Sequence, residues 1–324
     1  IFGNPAPSSA VTLASIRSSR DGVASYFSGF ALTTNYANMN SYECSLFNQD
    51  GGCFSIGGRY SDVNSINNSD SSSFASVAVG GFKINDNYRV TGFVDQQVNS
   101  STPDDIKVKN KGPMLGMRLV WNQYPDQQGY QVKVANAYQS KDINITRSAT
   151  NDVTGDAIVG RGDTKVQVES YIAEVSYHFG DGIKTSYRPY FAMRRATIKQ
   201  DGYTETGVNH PLTFNTLEDK STTMIIGMKS KYKLNKRITL NGTLGVEHDL
   251  RSSVDKIKAT SSSIGELTSV DLNTNINKTR PVLTLGASCN IGLNQSISVQ
   301  TQYQELSHTS TSGKTAYLSY NVRF

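Results

Sequence analysis

Apolar and polar residues alternate along most of the chain beyond about residue 50. In YIAEVSYHF, Tyr171, Ala173, Val175, Tyr177 and Phe179 share one face, and in RITLNGTLGV, Ile238, Leu240, Leu244 and Val246 do. Strict alternation over more than about eight residues marks a strand whose two faces meet different surroundings. Comparable runs start near Cys53, Phe74, Tyr88, Gly112, Tyr130, Lys165, Tyr187, Thr222, Arg237, Pro281, Ser296 and Lys314, which predicts twelve strands, an even count. The last run, GKTAYLSYNVRF, keeps its pattern to the final side chain. Leu318, Tyr320, Val322 and Phe324 lie on one side, and Tyr317, Ser319, Asn321 and Arg323 on the other.

These runs are about 10 to 14 residues long, whereas soluble strands are usually about 5 to 6 and a tilted membrane-spanning strand needs about 9 to 11. Loop lengths add an independent pattern. INDNY, YPDQQG, GDGIKTS, NKR and LNQS are short connections, and they alternate with SDVNSINNSDSSS, NSSTPDDIKVKN and the stretches 146–163, 200–220 and 251–279. Only the closing SHTSTSG is of middling length. A soluble sandwich has no reason to sort its loops this way, whereas outer-membrane barrels pair short periplasmic turns with long outside loops.

Charges sort as well. An Arg or Lys facing lipid near the midplane costs about 2 to 4 kcal/mol. If the apolar alternates face outward, then Arg59, Arg89, Asp95, Arg118, Lys133, Glu174, Arg194, Lys229 and Glu247 all face a polar lumen. Two residues break the rule: Asn136 falls in the outward register at mid-strand, and Arg195, beside Arg194, must sit at the outer rim or on a bulge. The fold expectation is therefore all-β, a 12-stranded antiparallel transmembrane barrel of the outer membrane over residues 51–324, with both ends of the barrel on the periplasmic side. Tyr88, Trp121, Tyr124, Tyr130, Phe179, Tyr187, Tyr232 and Phe324 fall near strand ends, where interfacial girdles form.

Residues 1–50 do not alternate. From Ser8 or Ser9, good N-caps, SAVTLASIRSSRDGVASYF carries Ile16, Val23 and Phe27 at helical spacing, with Arg17, Arg20 and Asp21 between them. A helix over about residues 9–28 would span about 30 Å, near the thickness of a bilayer core. Three charges within five residues exclude lipid contact, so the expected place for this helix is inside the pore. There Arg17 and Arg20 would need partners, because a buried charge is costly unless paired. The expected pairs are Arg17 or Arg20 with Asp95, Glu174 or Glu247, and Asp21 with Arg118, Lys133 or Lys229.

Composition narrows the class. The chain has 324 residues, 37% apolar and 18% charged, with a mean hydropathy of −0.41. Its longest apolar runs, such as MIIGM, are far short of the roughly 20 residues of a spanning helix, so a helical membrane bundle is excluded. The charge of +5 is spread without a basic face, and no nucleic-acid partner is expected. No signal peptide opens the sequence, which reads as a mature or excised piece.

The order of a polar helix, strands and turns such as GGFKINDNYRVTGF, GMRLVWNQ, the ESYIAEVSYHFGDGIKTSYRPYFAMR hairpin, LGVEHDL, RPVLTLGASCNIGLNQSISVQTQY and a terminal YNVRF resembles the translocator domain of classical monomeric autotransporters. The resemblance covers nearly the whole chain. It implies a monomeric unit that anchors in outer-membrane lipid and is associated with export of an N-terminal passenger to the cell surface. In that family the linker helix threads the pore. The alternating end with Leu318, Tyr320, Val322 and Phe324 resembles the signal read by the barrel-assembly machinery, with periplasmic chaperones as further partners during biogenesis. CSLFNQDGGC, between helix and first strand, departs from the family pattern.

Other chemistry is thin. His210 with Asp201 and Glu205, or His248 with Glu247 and Asp249, would have to converge at the outer rim to make a hydrolase, and polar loops supply such neighbours readily. No metal or cofactor spacing appears. Cys44 and Cys53 suggest a small disulfide loop of an oxidising compartment, leaving Cys289 free. An Arg161-Gly162-Asp163 tripeptide falls in what the pattern assigns to a long outside loop, and chance accounts for it. The readings that compete with the translocator are a passive outer-membrane pore or adhesin barrel and an outer-membrane hydrolase. The leader favours the translocator, since an open porin needs no plug.

Overall fold

The computed structural model describes all residues except 1–4, 45, 66–68, 181–183, 273–274, 309 and 324, and gives no side-chain account of 40 and 41. Phe324, the last member of the terminal alternation, therefore lies outside the described residues.

Twelve long antiparallel strands form the barrel: β1 (Gly52–Asn64), β2 (Ser71–Lys83), β3 (Tyr88–Ser101), β4 (Met114–Asn122), β5 (Gly129–Thr150), β6 (Ala157–Gly180), β7 (Thr185–Gln200), β8 (Leu217–Lys233), β9 (Ile238–Val254), β10 (Thr279–Asn290), β11 (Gln295–Glu305) and β12 (Ser312–Val322). Each pairs with its neighbours in sequence, and β1 closes on β12 from Phe54 opposite Val322 to Asn64 opposite Ser312. Closure leaves no open edge, which a bilayer requires because lipid cannot satisfy backbone groups. Along β12, Tyr317, Ser319 and Asn321 are buried inward and Leu318 is 56% exposed on the outside. The same parity puts Val94, Leu115, Met117, Val134, Tyr171, Ile226, Leu244 and Leu285 on the outer surface as a belt of exposed apolar side chains.

Both misfits have local solutions. The outward Asn136 turns its amide oxygen back onto the wall, where it accepts the backbone N–H of Met117 at 3.0 Å. Arg195 faces outward opposite Thr222, where the β8–β9 register shifts at a bulge between Thr222 and Thr223. A bulge re-aims side chains and ends regular pairing.

Inside the barrel lies one long helix, α1 (Ser9–Tyr36), whose last turn widens into a π-helical segment at Ala37–Ser41. It starts where expected, with Ser8 Oγ accepting Val11 N–H, but runs eight residues past the expected end. The extension, GFALTTNY, has no charge, and its hydroxyls satisfy themselves by bonding back to carbonyls, Thr33 to Gly29 and Thr34 to Phe30. At 1.5 Å per residue the helix is about 42 Å long, which exceeds the hydrocarbon core.

The long-loop end accommodates that excess length. β5 and β6 have 22 and 24 residues, twice what a crossing strand needs, so most of the 146–163 stretch is strand and not loop. A short strand, Ile106–Asn110, pairs onto β5. The connections after β7 and β9 fold into a small sheet from Tyr203–Thr204, Thr213–Phe214, Ala259–Ser261 and Gly265–Glu266. Ile106, Ile143, Ile145, Val166, Val168, Ile198, Leu212, Phe214, Ile257 and Leu267 form one apolar cluster with Ile16, Val23, Phe27 and Phe30 of α1. The loops and strand extensions are therefore an apolar dome around the helix from Ile16 to Phe30.

Candidate functional site in the barrel lumen

The site is the seat that holds α1 in the pore. At its upper end, Asn151 Nδ2 donates to the Pro5 carbonyl at 3.0 Å and Ser8 N–H donates to Asp152 at 2.9 Å, so the β5–β6 turn grips the chain just before the helix. Two turns further, Arg147 bonds Glu205 with two contacts of 2.7 Å and Ser15 Oγ at 3.0 Å. Arg147 and Glu205 are both 3% exposed. This pair was not legible in sequence, because its partners come from a strand extension and a loop.

The inward glycines of β6 make room for the dome. A Cβ at Gly160 would lie 2.4 Å from the Glu205 carboxylate carbon, and one at Gly162 would lie 2.0 Å from the Tyr203 ring. Tyr203 in turn stacks on Phe214 with ring centroids 4.8 Å apart. The Arg161-Gly162-Asp163 tripeptide is thus a stretch of paired strand, opposite Thr146, Ile145 and Asn144, and not the loop expected from the pattern. Its glycine answers to packing.

At the lower end the helix has no basic residue in its last turn, although the final carbonyls of a helix need donors and carry the negative end of its dipole. The barrel supplies them. Arg118 Nη2 donates to the Ala37 carbonyl at 2.9 Å, and Lys133 Nζ donates to that of Met39 at 2.7 Å. Asn38 Nδ2 reaches Ser170 Oγ at 2.9 Å, and Tyr36 donates to Gln300 at 3.1 Å.

The sequence-derived lumen charges do come together, but in other pairs. Asp95 is held by Arg59 through contacts of 2.7 and 3.0 Å and accepts Tyr42 Oη at 2.5 Å. Glu174 lies between Lys133, at 2.8 Å, and Lys229. Glu247 meets Arg194 at 2.8 Å and Arg280 at 3.7 Å, and Arg280 also meets Asp249 at 2.6 Å.

The three lumen acids are thus neutralised by barrel cations and by the linker tyrosine. Arg20 pairs with Asp21 on its own helix at 2.8 Å, and Arg17 is exposed. The expected Arg17 or Arg20 contacts with Asp95, Glu174 and Glu247 do not occur, nor does Asp21 pair with Arg118, Lys133 or Lys229. The longer helix carries Arg17, Arg20 and Asp21 up to the dome, so the uncharged half of α1 lies at the level of the acids.

The linker closes the floor. Cys44 and Cys53 are joined, tying the segment after the helix to β1, and Cys289 is free and exposed. Tyr36, Tyr42, Phe93 and Tyr317 stack edge to face around this point with centroids 4.8 to 6.2 Å apart. Glu43 bonds Arg118 at 3.0 Å. Enclosure raises the Glu43 carboxyl, but the fields of Arg118, Arg89, Lys133 and Lys229 outweigh that and hold it well below the usual carboxylate range.

The histidines are scattered. His210 bonds Ser263 while Glu205 is taken by Arg147, and His248 bonds Thr279 while Glu247 and Asp249 bind arginines.

A closed barrel with a capped helix through its lumen is the setting in which sequence comparison decides the family. The autotransporter beta-domain profile matches residues 53–304. The chain belongs to the autotransporter β-domain family. It is an outer-membrane translocator domain, associated with export of a passenger. In fold this β-domain is similar to the translocator domain of the autotransporter NalP from Neisseria meningitidis, with 16% identity over 94% of this chain and 96% of that one and a TM-score of 0.66. It is also similar to the beta domain of the Bordetella autotransporter BrkA, at 12% identity, 85% and 100% coverage and a TM-score of 0.55. The barrel architecture extends to the monoaromatic hydrocarbon channel CymD, at 10% identity, 85% and 89% coverage and a TM-score of 0.51. A sequence search of curated proteins finds no match.

Proposed function

We propose that residues 1–50 are the linker of a passenger that precedes residue 1, that residues 51–324 anchor it, and that the chain functions as a monomer without catalysis of its own. In this reading the short-turn end faces the periplasm, with both ends of the barrel there, and the dome faces outside. The carrying observation is the double anchoring of α1. The β5–β6 turn grips Pro5 and Ser8 above, and Arg118 and Lys133 cap the carbonyls of Ala37 and Met39 below. A helix fixed at both ends keeps the passenger attached and the pore plugged.

Leu318, Tyr320, Val322 and Phe324 would be the assembly address read by the barrel-assembly machinery, with periplasmic chaperones upstream. The buried charge pairs serve to seat the helix, and the dispersed histidines support a non-enzymatic reading. The test is a reporter domain fused before Ile1 in cells. The reporter should become accessible to external protease while the barrel stays protected, and a reporter retained inside refutes the assignment.

A further inference from the structure

Beneath the last helical turn the lumen changes character. After Tyr42 the chain is tied to the wall through Cys44–Cys53, so no helix among the described residues fills the short-turn mouth. Several inward positions of β3 to β8 there are cationic. Arg89 stands opposite Val120, which stands opposite Lys133, and across the mouth Arg188 stands opposite Lys229, with Lys231 one inward position below. With Arg118, these six cations face two carboxylates among the described residues, Glu43 and Glu174.

The two acids are already engaged. Glu174 bridges Lys133 and Lys229, and Glu43 binds Arg118. Among the described residues, Arg188 is held by neutral acceptors, Gln131 Oε1 at 2.9 Å and the Gln127 carbonyl at 3.0 Å. Among the described residues, neither it nor Arg89 nor Lys231 has an ion pair with a carboxylate. Solvent reaches this space: Lys231 is exposed and the Glu43 side chain is 48% exposed.

An excess of positive charge in a water-filled cleft with low-dielectric walls focuses field and concentrates counter-ions. We propose that the short-turn vestibule is an anion-binding site, taking a small phosphate-type oxyanion between Arg89, Arg188 and Lys231, and that Glu43 is its tethered internal competitor. Guanidinium forks and an ammonium group match the oxyanion geometry. Glu43 sits on a linker joined to the end of α1, so ligand and linker compete for the same cations.

The test uses the full chain in detergent. Inorganic phosphate is titrated calorimetrically at low salt, with crystals soaked in bromide to locate anions by anomalous scattering. A saturable phosphate signal and a bromide peak between Arg89, Arg188 and Lys231 are expected. The Arg89→Gln/Lys231→Gln variant changes two side chains that make no hydrogen bond or ion pair among the described residues, so it should keep its β spectrum while losing at least about tenfold in affinity. Glu43→Gln should bind phosphate more tightly than the parent, which a purely structural Glu43 would not produce. No saturable binding, a bromide peak only elsewhere, or equal affinity in parent and double variant would overturn the site. None of these outcomes bears on passenger display, so failure here is distinguishable from failure of the translocator reading.

Discussion

Lys133 shows how one side chain serves both wall and plug. Its ammonium neutralises Glu174 and caps the Met39 carbonyl, and a hydrogen bond from a charged donor contributes about 1.5 to 3 kcal/mol. Lys133→Met should therefore speed amide exchange in the last turns of α1 by about tenfold or more, with the barrel's β spectrum unchanged; equal exchange would remove the capping role. Gly162→Ala belongs to the same scale. The added methyl meets the Tyr203 ring, and overpacking costs about 1 to 3 kcal/mol. Exchange in the 203–214 connection should rise, while Arg161→Ala, one residue away and facing outward, should leave it unaltered. The two variants separate a packing role from a recognition role for this tripeptide.

Among the elements, α1 and the dome stand or fall together. Phe27 is 1% exposed among loop residues, and truncating a buried Phe to Ala costs about 3 to 5 kcal/mol. Because these contacts lie at the long-loop end of the barrel, on strand extensions and connections, Phe27→Ala with Phe30→Ala should open the loops around Lys256 and Lys258 to trypsin while the rest of the barrel stays intact. Trypsin resistance equal to the parent would separate helix from dome.

The linker makes its own prediction. Thiol titration of unreduced, denatured protein should find one free thiol, Cys289; three would exclude the Cys44–Cys53 bond. Glu43 adds a pH dependence. Its carboxyl is held below its ordinary value of 4.5, so its contribution to docking the linker is fully present above that value. It is lost as pH falls through the depressed one. Protection of linker amides, corrected for intrinsic exchange, should be flat from pH 8 to about 5 and decline below.

For the whole molecule, the plug decides conductance. Removing residues 1–41 should raise single-channel conductance in planar bilayers clearly, as water and ions fill the space vacated by α1. An unchanged value would contradict a sealed lumen.

The sequence by itself determined the barrel. Alternation with period two, long runs, sorted loop lengths and inward charges all follow from one cause: each strand separates lipid from water, and no other placement of those residues avoids a large desolvation cost. It also determined the presence and start of the helix, because Ser8 is a local cap and Arg17, Arg20 and Asp21 are barred from lipid. Only the tertiary structure decided where the helix stops, since the donors for its final carbonyls, Arg118 and Lys133, lie some 80 to 94 residues away. It alone decided the partners of Asp95, Glu174 and Glu247. Inward parity names the residues that share a lumen, while the choice among them depends on strand stagger and on which stretch of helix lies at their level. The dome was hidden for a related reason: its apolar residues come from separate stretches of loop and strand extension around Ile106, Ile143, Val166, Ile198, Leu212 and Ile257, each too short to show a period, and they form a core only when α1 is there to receive them.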